Sequence, residues 1–236
     1  KDGTYSIDFS DLEEKFSDPQ TSLMILCNPH NPISKIWNAE DLARIGELAK
    51  KYSVTVIADE IHCDITRPGT RYTPFAAVSE TCREVSITCI APTKTFNLAG
   101  LHTSAVYVPN PALRRKVRHA LHADKFSAPN SFATVATVAA FEQGEKWLDS
   151  LREYVFENRK LVEAFLAEEL PEISAVKGDA TYLVWLDISS LKETGRNFAA
   201  YLRRKNRPVP YRRRCLWLWR RTFFENEHRL PQKHLP

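Results

Sequence analysis

Asn31, Asp59 and Lys94 differ in chemistry but occupy matching places in the first hundred residues, each just beyond a short apolar run. A lysine that becomes enclosed gives up its charge readily and can form a Schiff base with a carbonyl. A carboxylate beside a basic ring nitrogen raises the pKa of that nitrogen and keeps it protonated. An asparagine amide can hydrogen-bond a ring oxygen. Each residue also has a plainer reading on its own. Lys94 reads equally as a solvated surface lysine, Asp59 as an N-cap or salt-bridged carboxylate, and Asn31 as turn chemistry between His30 and Pro32. Their common placement is what separates them from those readings.

The elements that must position them follow from the hydrophobic pattern. Residues 21–27 (TSLMILC), 53–58 (SVTVIA) and 84–90 (EVSITCI) are short, apolar and rich in β-branched residues, which predicts buried strands. Asn38 offers an N-cap and Asp41 stands three residues on, ahead of Leu42, Ile45, Leu48 and Ala49 at helical spacing. Strands alternating with helices or long loops predict an α/β fold with a mostly parallel sheet covered on both faces. Ligands bind such sheets beyond the carboxyl ends of the strands, which is where Asn31, Asp59 and Lys94 fall. Together the three suit pyridoxal phosphate (PLP), with Lys94 forming the Schiff base, Asp59 pairing with the ring nitrogen and Asn31 meeting the ring oxygen.

Further along, 111–122 reads as a basic helix, 131–141 as an Ala-rich helix capped by Asn130, and 145–170 as a long amphipathic helix. A strand is expected at 181–188 (TYLVWLDI) and another helix from 198. This order predicts a PLP-binding large domain over 1–146 and a partial α+β small domain over 147–204.

The segments LCNPHNP (26–32), ADEIH (58–62) and APTKTFNLAGL (91–101) resemble the fold-type I PLP enzymes of the class I/II aminotransferase superfamily. Within it they are most similar to the MalY/PatB-like carbon–sulfur β-lyases, because His62 stands where ordinary aminotransferases usually have Tyr. The resemblance covers residues 1–204. It implies Lys94 as the Schiff-base lysine and general base, Asp59 as the ring-nitrogen partner, Asn31 and His62 beside the ring oxygen, and Thr93 as a hydroxyl for the cofactor phosphate. It further implies α,β-elimination from an S-substituted cysteine such as cystathionine, giving thiol, pyruvate and ammonia, and a homodimer for the full-length family. An aminotransferase of the same fold and a non-catalytic fragment are the alternatives. Three departures stand out: Ser34 where the family usually has Gly, Ala91 in place of a second hydroxyl near the lysine, and His102 where aminotransferases keep a phosphate-binding Arg. The N-terminal part of the family fold precedes Lys1 and is not represented, so weak cofactor retention is expected.

The whole chain has 236 residues, 43% of them hydrophobic, and a formal charge of +4. That charge is unevenly spread. Nine Lys/Arg and two Glu lie in 205–236, which leaves 24 basic and 27 acidic residues, a net −3, in 1–204. The basic tail lacks Gly, Ala, Ser and Asp and does not resemble the family. Read one nucleotide out of register, ordinary codon choices for it permit a Gly-rich run of the family type, so a frameshift near Lys205 is expected, with an Arg/Trp-rich nucleic-acid or membrane patch as the rival reading of the tail. With the charge confined there, neither a nucleic-acid nor a membrane partner is expected for the body. Five cysteines without a CxxC pair fit neither a disulfide framework nor a zinc ribbon, and reduced thiols suggest the cytoplasm.

Overall fold

A computed structural model describes residues 3–126 and 128–205. The expected tail anomaly therefore lies outside the described residues. The elements run α1 (Phe9–Ser17), β1 (Leu23–Cys27), α2 (Ala39–Lys51), β2 (Thr55–Asp59), α3 (Phe75–Val78), α4 (Glu80–Val85), β3 (Ser86–Ile90), α5 (Pro92–Thr95) and β4 (Ala105–Tyr107). They continue with α6 (Pro111–Ala123), α7 (Ser131–Gln143), α8 (Glu145–Glu169), β5 (Ser174–Ala175), β6 (Leu186–Asp187) and α9 (Gly195–Lys205).

The main sheet has the order β1-β2-β3-β4, with the first three strands parallel and β4 antiparallel. One face is a closed core. Leu26, Val56 and Ala58 pack against Leu42 and Ile45 of α2, Phe75 of α3 and Cys82 of α4. Helix α2 approaches α4 so closely that a Cβ on Gly46 would overlap the Cys82 sulfur. The opposite face, which carries Ile25, Ile57 and Ile87 in register, is more open. Ile25 is 64% exposed there. Alternation along β2 puts Asp59 on this open face, two residues beyond Ile57.

The local signals hold at most positions. The Asn38 side chain accepts the Asp41 amide at 2.7 Å, so the expected N-cap on α2 forms, but the Asp41 carboxylate takes the Asn38 side-chain amide at 2.9 Å rather than the backbone N–H of a capping box. Asn130 accepts the amides of Phe132 and Ala133, so α7 starts where its cap predicts. The expected strand at 181–188 is corrected. Only Leu186–Asp187 pair as a strand, against Ser174–Ala175, and Thr181 takes a left-handed backbone with φ 59°. An extended strand cannot pass through such a residue.

Candidate active site

The carboxyl ends of the three parallel strands are flush. Cys27, Asp59 and Cys89 lie side by side in the register. The ladder extends one step further, with the Asn28 amide donating to the Asp59 carbonyl at 3.0 Å and the Glu60 amide to the Cys89 carbonyl at 2.9 Å. Three loops therefore leave the sheet at one level, carrying Asn31, His62 and Lys94.

Lys94 sits in the single turn of α5, which opens at Pro92 and closes where the Phe96 amide donates to the Pro92 carbonyl at 2.8 Å. Proline suits that first position because its φ is preset and its missing N–H would have no partner there. The neighbouring Thr95 is fully buried and donates its hydroxyl to Asp64 at 2.9 Å. This bond ties the lysine turn to the loop that holds His62. On the far side, Phe96 meets the rings of Phe141 and Trp147, which seats the turn against α7 and α8.

His62 is only 4% exposed, and neither ring nitrogen has a hydrogen-bond partner. A buried polar group without a partner is costly, so a side chain in this state is poised for a ligand atom. Its pKa is pushed down to about 4, first by burial and then by the positive charge of Lys94, while Asp59 works in the opposite direction. The imidazole is thus neutral at neutral pH and lies within electrostatic reach of both the lysine and the aspartate. The Asp59 charge also raises the thiol pKa values of Cys27 and Cys89, second to their burial. Thr93 is half-buried beside Lys94, and Asn31 stands exposed on its loop. Lys94 and Asp59 both act electrostatically on His62 at this sheet edge. Asn31 is delivered to the same edge without a buried contact.

Several supporting residues were not anticipated. Glu60 is 2% exposed, accepts the Phe75 amide at 2.7 Å and lies beside the Tyr72 hydroxyl. Burial pushes its carboxyl above the usual range. Tyr72 donates to the Asn28 carbonyl at 3.0 Å, and the buried Asn28 side chain accepts the Trp37 amide and donates to the Thr73 carbonyl. This network fixes the path of the chain from β1 toward Asn31. The period-two alternation of β2 contains the signal for it. Asp59 and Glu60 are adjacent, so one faces the open side and the other faces inward.

Ser34 does not disturb the turn after Asn31. It takes φ 60°, the left-handed conformation a glycine would adopt, and is wholly buried. Its hydroxyl bonds Thr181 Oγ1 at 2.7 Å and the Leu183 carbonyl at 2.8 Å. His102 is likewise left-handed, with φ 48°, and closes the short 3-10 turn Ala99–Leu101 in an exposed position.

The chain matches the model of the family described as aminotransferase class I and II over residues 1–212. It is 48% identical over 190 residues to cystathionine beta-lyase PatB of Bacillus subtilis (strain 168), covering 80% of this chain and 49% of that protein. It is 31% identical to protein MalY of Escherichia coli (strain K12), over 78% of this chain and 47% of that one. Among solved structures, cystalysin of Treponema denticola, which contains PLP, superposes with TM-score 0.78 at 31% identity, covering 86% of this chain and 52% of that one. The PLP-bound C-S lyase of Staphylococcus hominis gives 0.74 at 35% identity, covering 88% of this chain and 49% of that one. The chain spans about half the length of the curated relatives it matches. A family model matched over most of the sequence, on a parallel sheet whose strand ends present Asp59, His62 and Lys94 together, settles the wider kinship: this chain belongs to the aminotransferase class I and II family.

Proposed function

We propose that the protein is a PLP-dependent carbon–sulfur β-lyase acting on an S-substituted cysteine such as cystathionine, releasing thiol, pyruvate and ammonia. The observation that carries this is His62, buried with two unpartnered ring nitrogens and under the charges of Lys94 and Asp59. An orphaned donor–acceptor ring, an amine and a carboxylate are the set that a substituted pyridine aldehyde needs, so the residues present fit the group. When bound, PLP supplies an electron sink for the carbanion formed at the substrate Cα.

The residues divide the work. Lys94 Nζ would hold the cofactor, and its free amine would serve as the general base that takes the substrate Cα proton. The Asp59 carboxylate would keep a proton on the ring nitrogen by ion pairing. His62 is neutral and can offer one N–H and one lone pair, which suits the ring oxygen, where Asn31 joins it. Thr93 gives a hydroxyl for the phosphate. The relatives named as cystathionine β-lyase and C-S lyase support elimination over amino transfer.

We further propose a large domain over 1–146, a partial small domain over 147–204, a homodimer and a cytoplasmic setting. The exposed apolar side chains Phe132, Val135 and Val138 of α7 support assembly, since a helix apolar all round is normally enclosed. The free thiols Cys27, Cys63, Cys82 and Cys89 support a reducing compartment. Among the described residues no helix is long and apolar enough to cross a membrane.

The test is to add PLP, reduce with borohydride and map the adduct by peptide mass. Adduct on Lys94, absent from Lys94→Ala, is expected; none on Lys94 in the wild-type chain refutes cofactor binding. Cystathionine then separates the chemistries, since pyruvate and free thiol support the lyase, whereas amino transfer that requires a keto acid refutes it.

A further inference from the structure

The His62 ring has no hydrogen bond to set its orientation, so packing must do so. The aromatic ring recorded against it is Tyr182, edge-on at 5.8 Å between centroids and 73° between planes. Tyr182 is 37% exposed and lies in irregular backbone, which is a poor platform for precise placement unless something holds that backbone.

Something does. Ser34 and Thr181 both have left-handed backbones, with φ of 60° and 59°, and their side chains meet at 2.7 Å. A β-branched residue in this region is a true outlier, kept only where its surroundings over-determine it. Here they do so in a closed ring of bonds. The Leu183 amide donates to Thr181 Oγ1 at 3.0 Å, and Ser34 Oγ donates to the Leu183 carbonyl at 2.8 Å. With the Ser34 proton spent on Leu183, the remaining bond runs from the Thr181 hydroxyl to Ser34 Oγ. The backbone is clamped as well. The Asp179 and Ala180 amides both donate to the Ser34 carbonyl, at 2.9 and 3.1 Å, and the Thr181 amide donates to Ile65 at 2.7 Å. Buried Arg159 reaches the Leu183 and Val176 carbonyls at 3.1 and 2.6 Å. These constraints hold the segment from Val176 to Leu183, and those at Thr181 and Leu183 flank Tyr182 directly. The same bonds join the loop of Asn31, through Ser34, to the loop of His62, through Ile65.

We propose that Tyr182 is a positioning residue for His62, held over the catalytic loop by a strained clasp between Ser34 and Thr181. This rests on the proposed PLP site only for its purpose; the packing it describes is testable without cofactor. The clasp sets the imidazole so that its free nitrogens face the site, and it couples that orientation to the Asn31 loop.

The experiment is NMR titration of the His62 ring in the cofactor-free chain, its resonance identified by its loss in His62→Gln. Tyr182→Phe keeps the ring and should leave the titration as in wild type. Tyr182→Ala should admit water and move the His62 midpoint upward by about one pH unit or more, since burial is what holds it down. Ser34→Gly accepts the left-handed backbone without strain, removes Cβ together with both hydroxyl bonds, and should move the midpoint in the same direction. The double variant Ser34→Gly/Tyr182→Ala should move it no further than Tyr182→Ala alone, because the clasp acts through the tyrosine. An unchanged midpoint in both Ser34→Gly and Tyr182→Ala overturns the proposal, and so does a fully additive double variant. Failure of the lyase reading is a separate result: no borohydride-trapped PLP on Lys94 of wild type, with these midpoints still moving.

Discussion

In the cofactor-free protein His62 is expected to titrate near pH 4, against 6.5 for an ordinary histidine, and stability must then depend on pH through this residue. Its pKa is depressed on folding, so the unfolded chain binds the proton more readily. The stabilisation is therefore complete above the unfolded value of 6.5 and drains away as pH falls toward the folded value of about 4. Over a fall from about pH 7 to about pH 4 the loss is about 3 kcal/mol, a large part of a small domain's stability. Glu60 opposes this trend. Burial raises its pKa, so its contribution is fully present at low pH and lost as pH rises through the folded value. Urea denaturation of wild type and His62→Gln across this range isolates the histidine, because Glu60 is common to both and cancels. The wild-type chain should lose about 3 kcal/mol more than the variant. Lys94→Ala should raise the His62 midpoint yet leave it below 6.5, since burial is the larger cause and the lysine charge the second. Parallel stability curves for wild type and His62→Gln, or a His62 resonance that titrates near 6.5, refute the reasoning.

Other expectations follow from close contacts and from burial. Gly178→Ala would place a Cβ 2.6 Å from Ser34 Cβ and 2.9 Å from the Ser34 carbonyl oxygen, so a loss of roughly 1–3 kcal/mol is expected in the denaturation midpoint. Thr95→Val keeps shape but leaves the Asp64 carboxylate without the 2.9 Å bond; about 1 kcal/mol of stability should go, and trapping of PLP on Lys94 should slow as the lysine turn loosens. Burial pushes the thiols of Cys27, Cys63, Cys82 and Cys89 up, so in the folded protein they should react with Ellman's reagent near pH 8 far more slowly than in urea, counted by mass on each peptide.

The strand–helix alternation and the strand ends were legible because they depend on local pattern. Runs such as 53–58 are too apolar to be surface, Asn38 and Asn130 are caps, and the polar residues Asp59 and Lys94 stop at the sheet edge. What packs against those ends was not legible, because it is a matter of contacts distant in sequence. Thr181 meets Ser34 across 147 residues and Arg152 meets Thr66 across 86, and no periodicity carries such pairs. The misread strand at 181–188 shows the mechanism of failure. Its β-branched and aromatic composition favours extension, but the bonds from Thr181 to Ile65 and Ser34 outweigh a propensity that spans only about 1 kcal/mol.

Ser34 carries this point into function. By composition alone, a serine where a glycine is expected is a local defect, with a left-handed cost of roughly 1–2 kcal/mol. Its hydroxyl gains two buried hydrogen bonds, each of about 1 kcal/mol, so the substitution comes out near neutral in stability. What it adds is connection. A glycine would make the same turn with no link to residues 181 and 183, whereas the serine joins that turn to the backbone that presents Tyr182 to His62. A residue that departs from the expected type at a strained position, without weakening the fold, is thus better explained by what it ties together than by the turn it sits in.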